Sequence, residues 1–268
     1  MKAALYGLAG LNAVIAVDLA SFVVAFVTLA LFIRIPKVEN EKAREESVLQ
    51  LAKEGLVYLK QTPLILHVIL FMSGVNLVAS AFDAVLPALI IPKRGNNVLG
   101  IVTSCSGIAM VFGSILATVM PKPKDRVKVI YLTMLFSLGT ENFVLAFSGN
   151  PVFWCFGQVL GWILVPVMST NQNVIMRNTV PADLQGRVYA CRNTLQFFTI
   201  PIGLLMGGFM VDEVCEPFMT GRNGIWTRLF GSGKGSGAAL MMFILGVLGI
   251  QICLVSGRKL RRYKYTDG

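Results

Sequence analysis

The chain has 268 residues, of which 55% are apolar and 14% charged, with a formal net charge of +10 and a mean hydropathy of +0.69. Soluble domains carry about 25% charged residues, so this composition excludes a disordered chain and argues against a soluble globule. A lone histidine, His67, and five scattered cysteines with no CxxC spacing leave no zinc, disulfide or catalytic-triad pattern.

Seven apolar runs follow one another: 8–35, 64–91, 98–120, 127–148, 152–176, 188–212 and 236–256. Each is long enough to cross a hydrocarbon core of about 30 Å as a helix. They predict an all-α, polytopic bundle of seven transmembrane helices. The first run ends at Arg34-Ile35-Pro36 without a small-residue cleavage site, so it reads as a retained helix and not as a signal peptide. Segment 37–61 breaks the pattern with mixed charges and then spaces Val48, Leu51, Leu56 and Leu59 as an amphipathic surface helix. That helix is either a solvated linker or a partner site. Segment 213–235, with five glycines between 221 and 235, reads as a flexible loop.

Seventeen Lys and Arg residues fall in the connections 34–63, 121–128, 176–187 and 257–268, against six on the opposite side. The positive-inside rule then puts the 34–63 connection and the C-terminus in the cytoplasm and the N-terminus outside a cell membrane. The same bias explains the net charge without a nucleic-acid partner.

The stretch 180–219, with Pro181, Gly186-Arg187, Pro201, Gly203, Gly208 and Asp212, resembles the loop and eleventh span of major facilitator superfamily transporters, particularly the drug-proton antiporters grouped with macrolide efflux proteins. The opening run, with Asp18 before Ser21-Phe22, is similar to that family's sixth span. The resemblance implies a domain plan: a sixth-span helix at 1–36, a cytoplasmic amphipathic linker at 37–63, a six-helix C-terminal half at 64–256 and a basic cytoplasmic tail at 257–268. Spans one to five have no counterpart, so the chain is expected to be partial, with an N-terminal half as its missing partner. The connection containing Asp125-Arg126 resembles the family's basic gating loop, with prolines where the family has glycines.

Polar residues inside apolar helices are costly, so they should face protein or a water-filled path. On the second run Ser73, Asn76, Ser80 and Asp83 share one helix face. The resemblance makes this run a cavity-lining span, in which Asp83 either binds a cationic substrate or carries a proton. An interhelical hydrogen bond is the alternative. The fifth run carries Gln158, Trp162, Ser169, Gln172 and Asn173 along one side, where Trp162 offers a flat surface to a drug-like or cationic ligand or simply packs. The sixth run aligns Arg192, Gln196, Thr199, Gly203 and Gly207. Its Gly203-xxx-Gly207 spacing favours close helix packing, and Pro201 permits a kink. Asp18 and Glu141 complete the intramembrane carboxylates, as proton relays or as hydrogen-bonded helix contacts.

These readings make the chain part of a secondary transporter that exports a hydrophobic or cationic small molecule against proton entry. The expected substrate cavity is Asn76, Ser80, Asp83, Gln158, Trp162, Ser169, Asn173 and Gln196. Asp83, Glu141 and Asp18 are the proton-coupling candidates, with Asp125, Arg126, Gly186, Arg187, Pro201, Gly203 and Gly207 in gating or packing. No cofactor is expected and no phosphate-cradling loop occurs. A seven-helix receptor or rhodopsin-like protein shares the topology, but the last run lacks a lysine for a retinal Schiff base. A membrane enzyme is disfavoured because no cluster has catalytic spacing.

Overall fold

The computed structural model describes residues 15–16, 19–29, 31, 48–263 and 265. The chain divides into two units, Met1–Ser47 and Val48–Gly268. In the first, α1 (Leu19–Leu29) is apolar, with Phe22 and Phe26 stacked at 6.4 Å.

The second unit begins with α2 (Val48–Gln61), which Thr62 separates from α3 (Pro63–Arg94). A proline at the first helical position loses no hydrogen bond and so starts a helix cleanly; Pro151 opens α6 (Pro151–Trp162) in the same way, below an Asn150 cap. Asp125 caps α5 (Arg126–Phe147) by accepting from the Lys128 amide at 3.1 Å. Between them runs α4 (Asn96–Val119). The remaining helices are α7 (Val165–Thr179), α8 (Gln185–Phe197), α9 (Thr199–Phe209), α10 (Glu216–Met219), α11 (Ile225–Phe230) and α12 (Ser236–Leu260), with a π-helical turn at Met210–Cys215 before α10.

Among the described residues, six helical rods are long and apolar enough to cross a membrane: Pro63–Arg94, Asn96–Val119, Arg126–Phe147, Pro151–Thr179, Gln185–Met219 and Ser236–Leu260. Six of the seven runs seen in the sequence coincide with them, and most of the first run lies outside the described residues. Short connections make successive rods antiparallel. One end gathers α2, the 121–125 and 180–184 connections and the end of α12, tied by Tyr58 to the Thr179 carbonyl and by Arg261 to Tyr131. The other end carries α11.

The spans are buried unequally. In their most apolar stretches, half or more of α3, α5 and α12 is buried, against 17% of α4 and 22% of the α8–α10 rod. Thus α3, α5 and α12 form the core, and α4 and the α8–α10 rod flank it with broad exposed apolar faces.

Two spans are broken, and each break has a chemical cause. Proline lacks the amide that would bond four residues back. Pro166 therefore deprives the Trp162 carbonyl of its helical partner, and α6 gives way to α7 at Ile163-Leu164; Pro201 does the same to Phe197, where α8 gives way to α9 at Phe198.

The 213–235 segment departs from its reading as a flexible loop. Its start continues the span through Met219, and its middle folds as α11. Trp226 meets Phe218 edge-on at 5.2 Å, and Phe230 packs on Phe147 and Phe243. Aromatic burial outweighs the chain entropy of the glycines, which serve as left-handed turns at Gly221, Gly224, Gly231, Gly233 and Gly235.

Candidate functional site

The break between α6 and α7 faces a carboxylate. Glu141, on α5 and 6% exposed, accepts a hydrogen bond from the Trp162 indole Nε1 at 3.1 Å. It fits there because Gly161 has no side chain: a Cβ at that position would strike the Glu141 carboxylate. One turn away Ser137 donates to the Gly161 carbonyl. Asp83, exposed on α3, is within electrostatic range of Glu141. One buried carboxylate, an indole and an interrupted helix therefore meet inside the bundle, an arrangement able to hold and release a proton, with Asp83 further off on the exposed face of α3. Gln158, a turn before Trp162, is buried, and its Nε2 has no hydrogen-bond partner among the described residues.

The α3 stripe has a different set of neighbours. Ser73 donates to the Leu195 carbonyl at 2.8 Å, Asn76 to the Gln196 carbonyl at 3.0 Å, and Thr199 to the Ser73 carbonyl at 2.9 Å. These three bonds clasp the α8–α9 break to α3. Ser80 turns back on its own helix, to Asn76, and lies against Gly203. At Gly203 and Gly207 an added Cβ would enter the α3 backbone at Leu77 and Ala81, so α3 and α9 touch main chain to main chain. Pro201 is exposed beside them.

Gln196 is buried and accepts from Arg192 at 3.1 Å. Arg192 also reaches Asn173, exposed on α7, at 3.4 Å. Ser169 is half-buried one turn earlier on α7. Of the eight expected cavity residues, Trp162 bonds Glu141 with Gln158 a turn away on the same helix, Asn76, Ser80, Gln196 and Asn173 gather around the α8–α9 junction, and Asp83 and Ser169 make no hydrogen bond to either group among the described residues. Asp18 lies outside the described residues.

At the α2 end, Arg187 pairs with Glu54 of α2, and Cys191 points at the Ala52 carbonyl, 3.5 Å away. A mostly apolar cavity of about 560 Å3 opens between α2 and α8 beside this pair, with Gly186 on its wall. Arg126, 7% exposed, donates to Asn171 at 2.9 Å, which ties the start of α5 to α7, while Asp125 stays on the Lys128 amide.

Sequence reasoning missed Glu54, Ser137, Gly161, Pro166 and Asn171. Pro166 carried a legible signal, a proline inside an apolar run. The other four act through partners 24 to 133 positions away, or, for Gly161, through a missing side chain.

Residues 2–204 match the family model described as Major Facilitator Superfamily. Among curated relatives, macrolide efflux protein A of Streptococcus pyogenes is 25% identical over 220 residues, covering 80% of this chain and 54% of that protein. The multidrug efflux pump Tap of Mycolicibacterium fortuitum is 27% identical, covering 70% and 47%, and macrolide efflux protein A of Enterococcus faecalis is 26% identical, covering 76% and 64%. The chain spans about half the length of the curated relatives it matches. No solved structure matches it.

Proposed function

This chain belongs to the Major Facilitator Superfamily, and from that premise we propose that it supplies the C-terminal half of a secondary transporter which expels a hydrophobic or cationic small molecule in exchange for protons. The relatives' names, macrolide and multidrug efflux proteins, support the substrate class. Their greater length supports a second, N-terminal half as partner. The excess of basic residues at the α2 end supports a cell-membrane orientation with that end in the cytoplasm. A receptor reading draws no support from these relatives.

One observation carries the coupling: Glu141 is buried within a spanning bundle and bonded by Trp162 at a helix break. A carboxylate at that depth is expensive to keep charged. An indole only donates, so it holds an ionised oxygen more firmly than a protonated one. Proton arrival then loosens the α5–α6 contact at the interrupted helix, and proton departure restores it. Asp83 stands close enough to sense that change and is exposed to a cationic ligand. Gln158 and Trp162 supply a buried amide and an aromatic face beside it. The α8–α9 junction, clasped by Ser73, Asn76 and Thr199, is the second place where the bundle bends, with Asn173 and Gln196 alongside, and Arg126 and Arg187 hold the cytoplasmic connections.

The test uses everted membrane vesicles from cells making the chain alone or joined to the N-terminal half of the S. pyogenes relative, with ethidium as the probe. Energised uptake that a protonophore abolishes, and that Glu141→Gln abolishes at equal protein level, supports the reading. Uptake indifferent to the protonophore overturns proton coupling, and no uptake in either form overturns transport of this class.

A further inference from the structure

The end of α12 carries four cations, Arg258, Lys259, Arg261 and Arg262, and the packing there divides them. The amides of Arg261 and Arg262 bond back to the carbonyls of Gly257 and Lys259 at 2.9 and 3.2 Å, so the helical course carries through them. Arg261 turns onto α5, donating from Nε to the Tyr131 hydroxyl at 2.9 Å with its guanidinium 5.4 Å from that ring. Gly257 is buried against the same ring, where a Cβ would come within 3.2 Å. On the other flank Tyr263 meets His67 of α3, their ring centroids 5.7 Å apart. The end of the span is therefore held on two sides, which fixes the face it turns outward.

Arg258, Lys259 and Arg262 fall within about 100° of one helix face, opposite the buried Cys253, Gly257 and Leu260. All three are exposed, and among the described residues none of them enters an ion pair or a side-chain hydrogen bond. The same face continues along the span through Ile244, Leu248 and Val255, which are 38%, 38% and 58% exposed, with Gln251 between them. From Ile244 to Val255 the helix rises about 16 Å, the hydrocarbon depth of one leaflet of a core about 30 Å thick. Topology asks for basic residues at this end of the bundle, but not for their gathering on the outward side. Three cations at the foot of an outward apolar stripe match an amphiphile of the same length, with chains along the stripe and negative charge at its end.

We infer that this face of α12 is a docking stripe for an anionic phospholipid, whose phosphate meets Arg258, Lys259 and Arg262 and whose acyl chain lies along Val255, Leu248 and Ile244. Charge complementarity selects that occupant. A zwitterionic lipid or a purely apolar protein span would leave the three cations unmatched, whereas guanidinium groups one turn apart suit phosphate oxygens. The inference needs only that the chain spans a membrane; it is independent of export and of proton coupling.

The test takes the full chain, purified in detergent, and follows its thermal unfolding and elution volume as dioleoylphosphatidylglycerol, dioleoylphosphatidylcholine or glycerol 3-phosphate is added. The expected result is saturable stabilisation by phosphatidylglycerol at lower concentration than by phosphatidylcholine, and none by glycerol 3-phosphate, which has the charge without the chains. Arg258→Gln, Lys259→Gln and Arg262→Gln should each raise the half-effect concentration of phosphatidylglycerol about 5-fold, and their exposed side chains can be altered without disturbing the core. Arg261→Gln deletes the same charge from the side facing Tyr131 and should move that concentration much less. Equal responses to the two lipids, a response unchanged in the three outward variants, or an equal loss in Arg261→Gln, the mark of a diffuse charge effect, overturns the assignment. So does stabilisation by glycerol 3-phosphate equal to that by phosphatidylglycerol, and so do dimers that dissociate in Leu248→Gln, which would seat a second copy on the stripe.

Discussion

The indole of Trp162 donates to the carboxylate of Glu141 at 3.1 Å, joining the last residue of α6 to the middle of α5 exactly where the fourth spanning rod is interrupted. Removing the donor by Trp162→Phe leaves a buried oxygen short of a partner, which costs about 1–3 kcal/mol. The expected result is a lower unfolding temperature in detergent for Trp162→Phe and a smaller loss for the Trp162→Phe, Glu141→Gln pair than the two single changes would sum to. Strict additivity in that cycle would mean that the two residues do not interact.

The α3–α9 contact should be intolerant of any side chain. Gly207→Val places atoms inside the Ala81 backbone, and overpacking of this kind costs about 1–3 kcal/mol. Gly208→Ala, whose Cβ would meet nothing within 4 Å, should be neutral or slightly stabilising, since alanine suits a helix interior better than glycine. Size-exclusion profiles of the two variants should separate them: aggregation or loss for the first, a monodisperse peak for the second.

The Glu54–Arg187 pair is partly exposed, and exposed pairs contribute roughly 0.2–1 kcal/mol. Reversing Arg187 to Glu should therefore loosen α2 without unfolding the bundle, visible as faster amide exchange across residues 50–60. The double reversal, Glu54→Arg with Arg187→Glu, should recover protection. Exchange in α2 that ignores both changes would show that other contacts hold this helix.

Cys105 on α4 and Cys155 on α6 are near enough to influence each other electrostatically, and both are half-buried, whereas Cys191, Cys215 and Cys253 are buried. A bifunctional arsenical should bridge Cys105 and Cys155, its oxygen leaving as water as two S–As bonds replace two S–H bonds. Mass spectrometry should find one adduct per chain in the native protein, lost in Cys155→Ser. An adduct that survives Cys155→Ser would place the reactive pair elsewhere.

The spanning rods were legible because lipid imposes one long apolar stretch per helix. The run 127–148 differs from Arg126–Phe147 by one residue at each end, since Asp125 caps one end and Ser148-Gly149-Asn150 closes the other. The shared face of Ser73, Asn76 and Ser80 was legible too, from spacing alone. What that face meets was not: the carbonyls of Leu195 and Gln196 are about 120 positions away, and local periodicity carries no information on which helix arrives there. That the Trp162 N–H is spent on Glu141 was not legible either, since a sequence does not show which helix lies opposite. Likewise α11 looked like a glycine-rich loop because Trp226 and Phe230 gain their stability from Phe218, Phe147 and Phe243, on other helices.

With the α3 and α9 main chains in direct contact at Gly203 and Gly207, and hydrogen bonds from Ser73, Asn76 and Thr199 a turn further on, the two helices form one stiff lever. Sliding one along the other would drive Ser80 and Ala81 into a groove cut for glycine alone. Any swing that opens one mouth of the protein must therefore carry both together, leaving the bending to the proline-interrupted stretches at Ile163-Leu164 and Phe198.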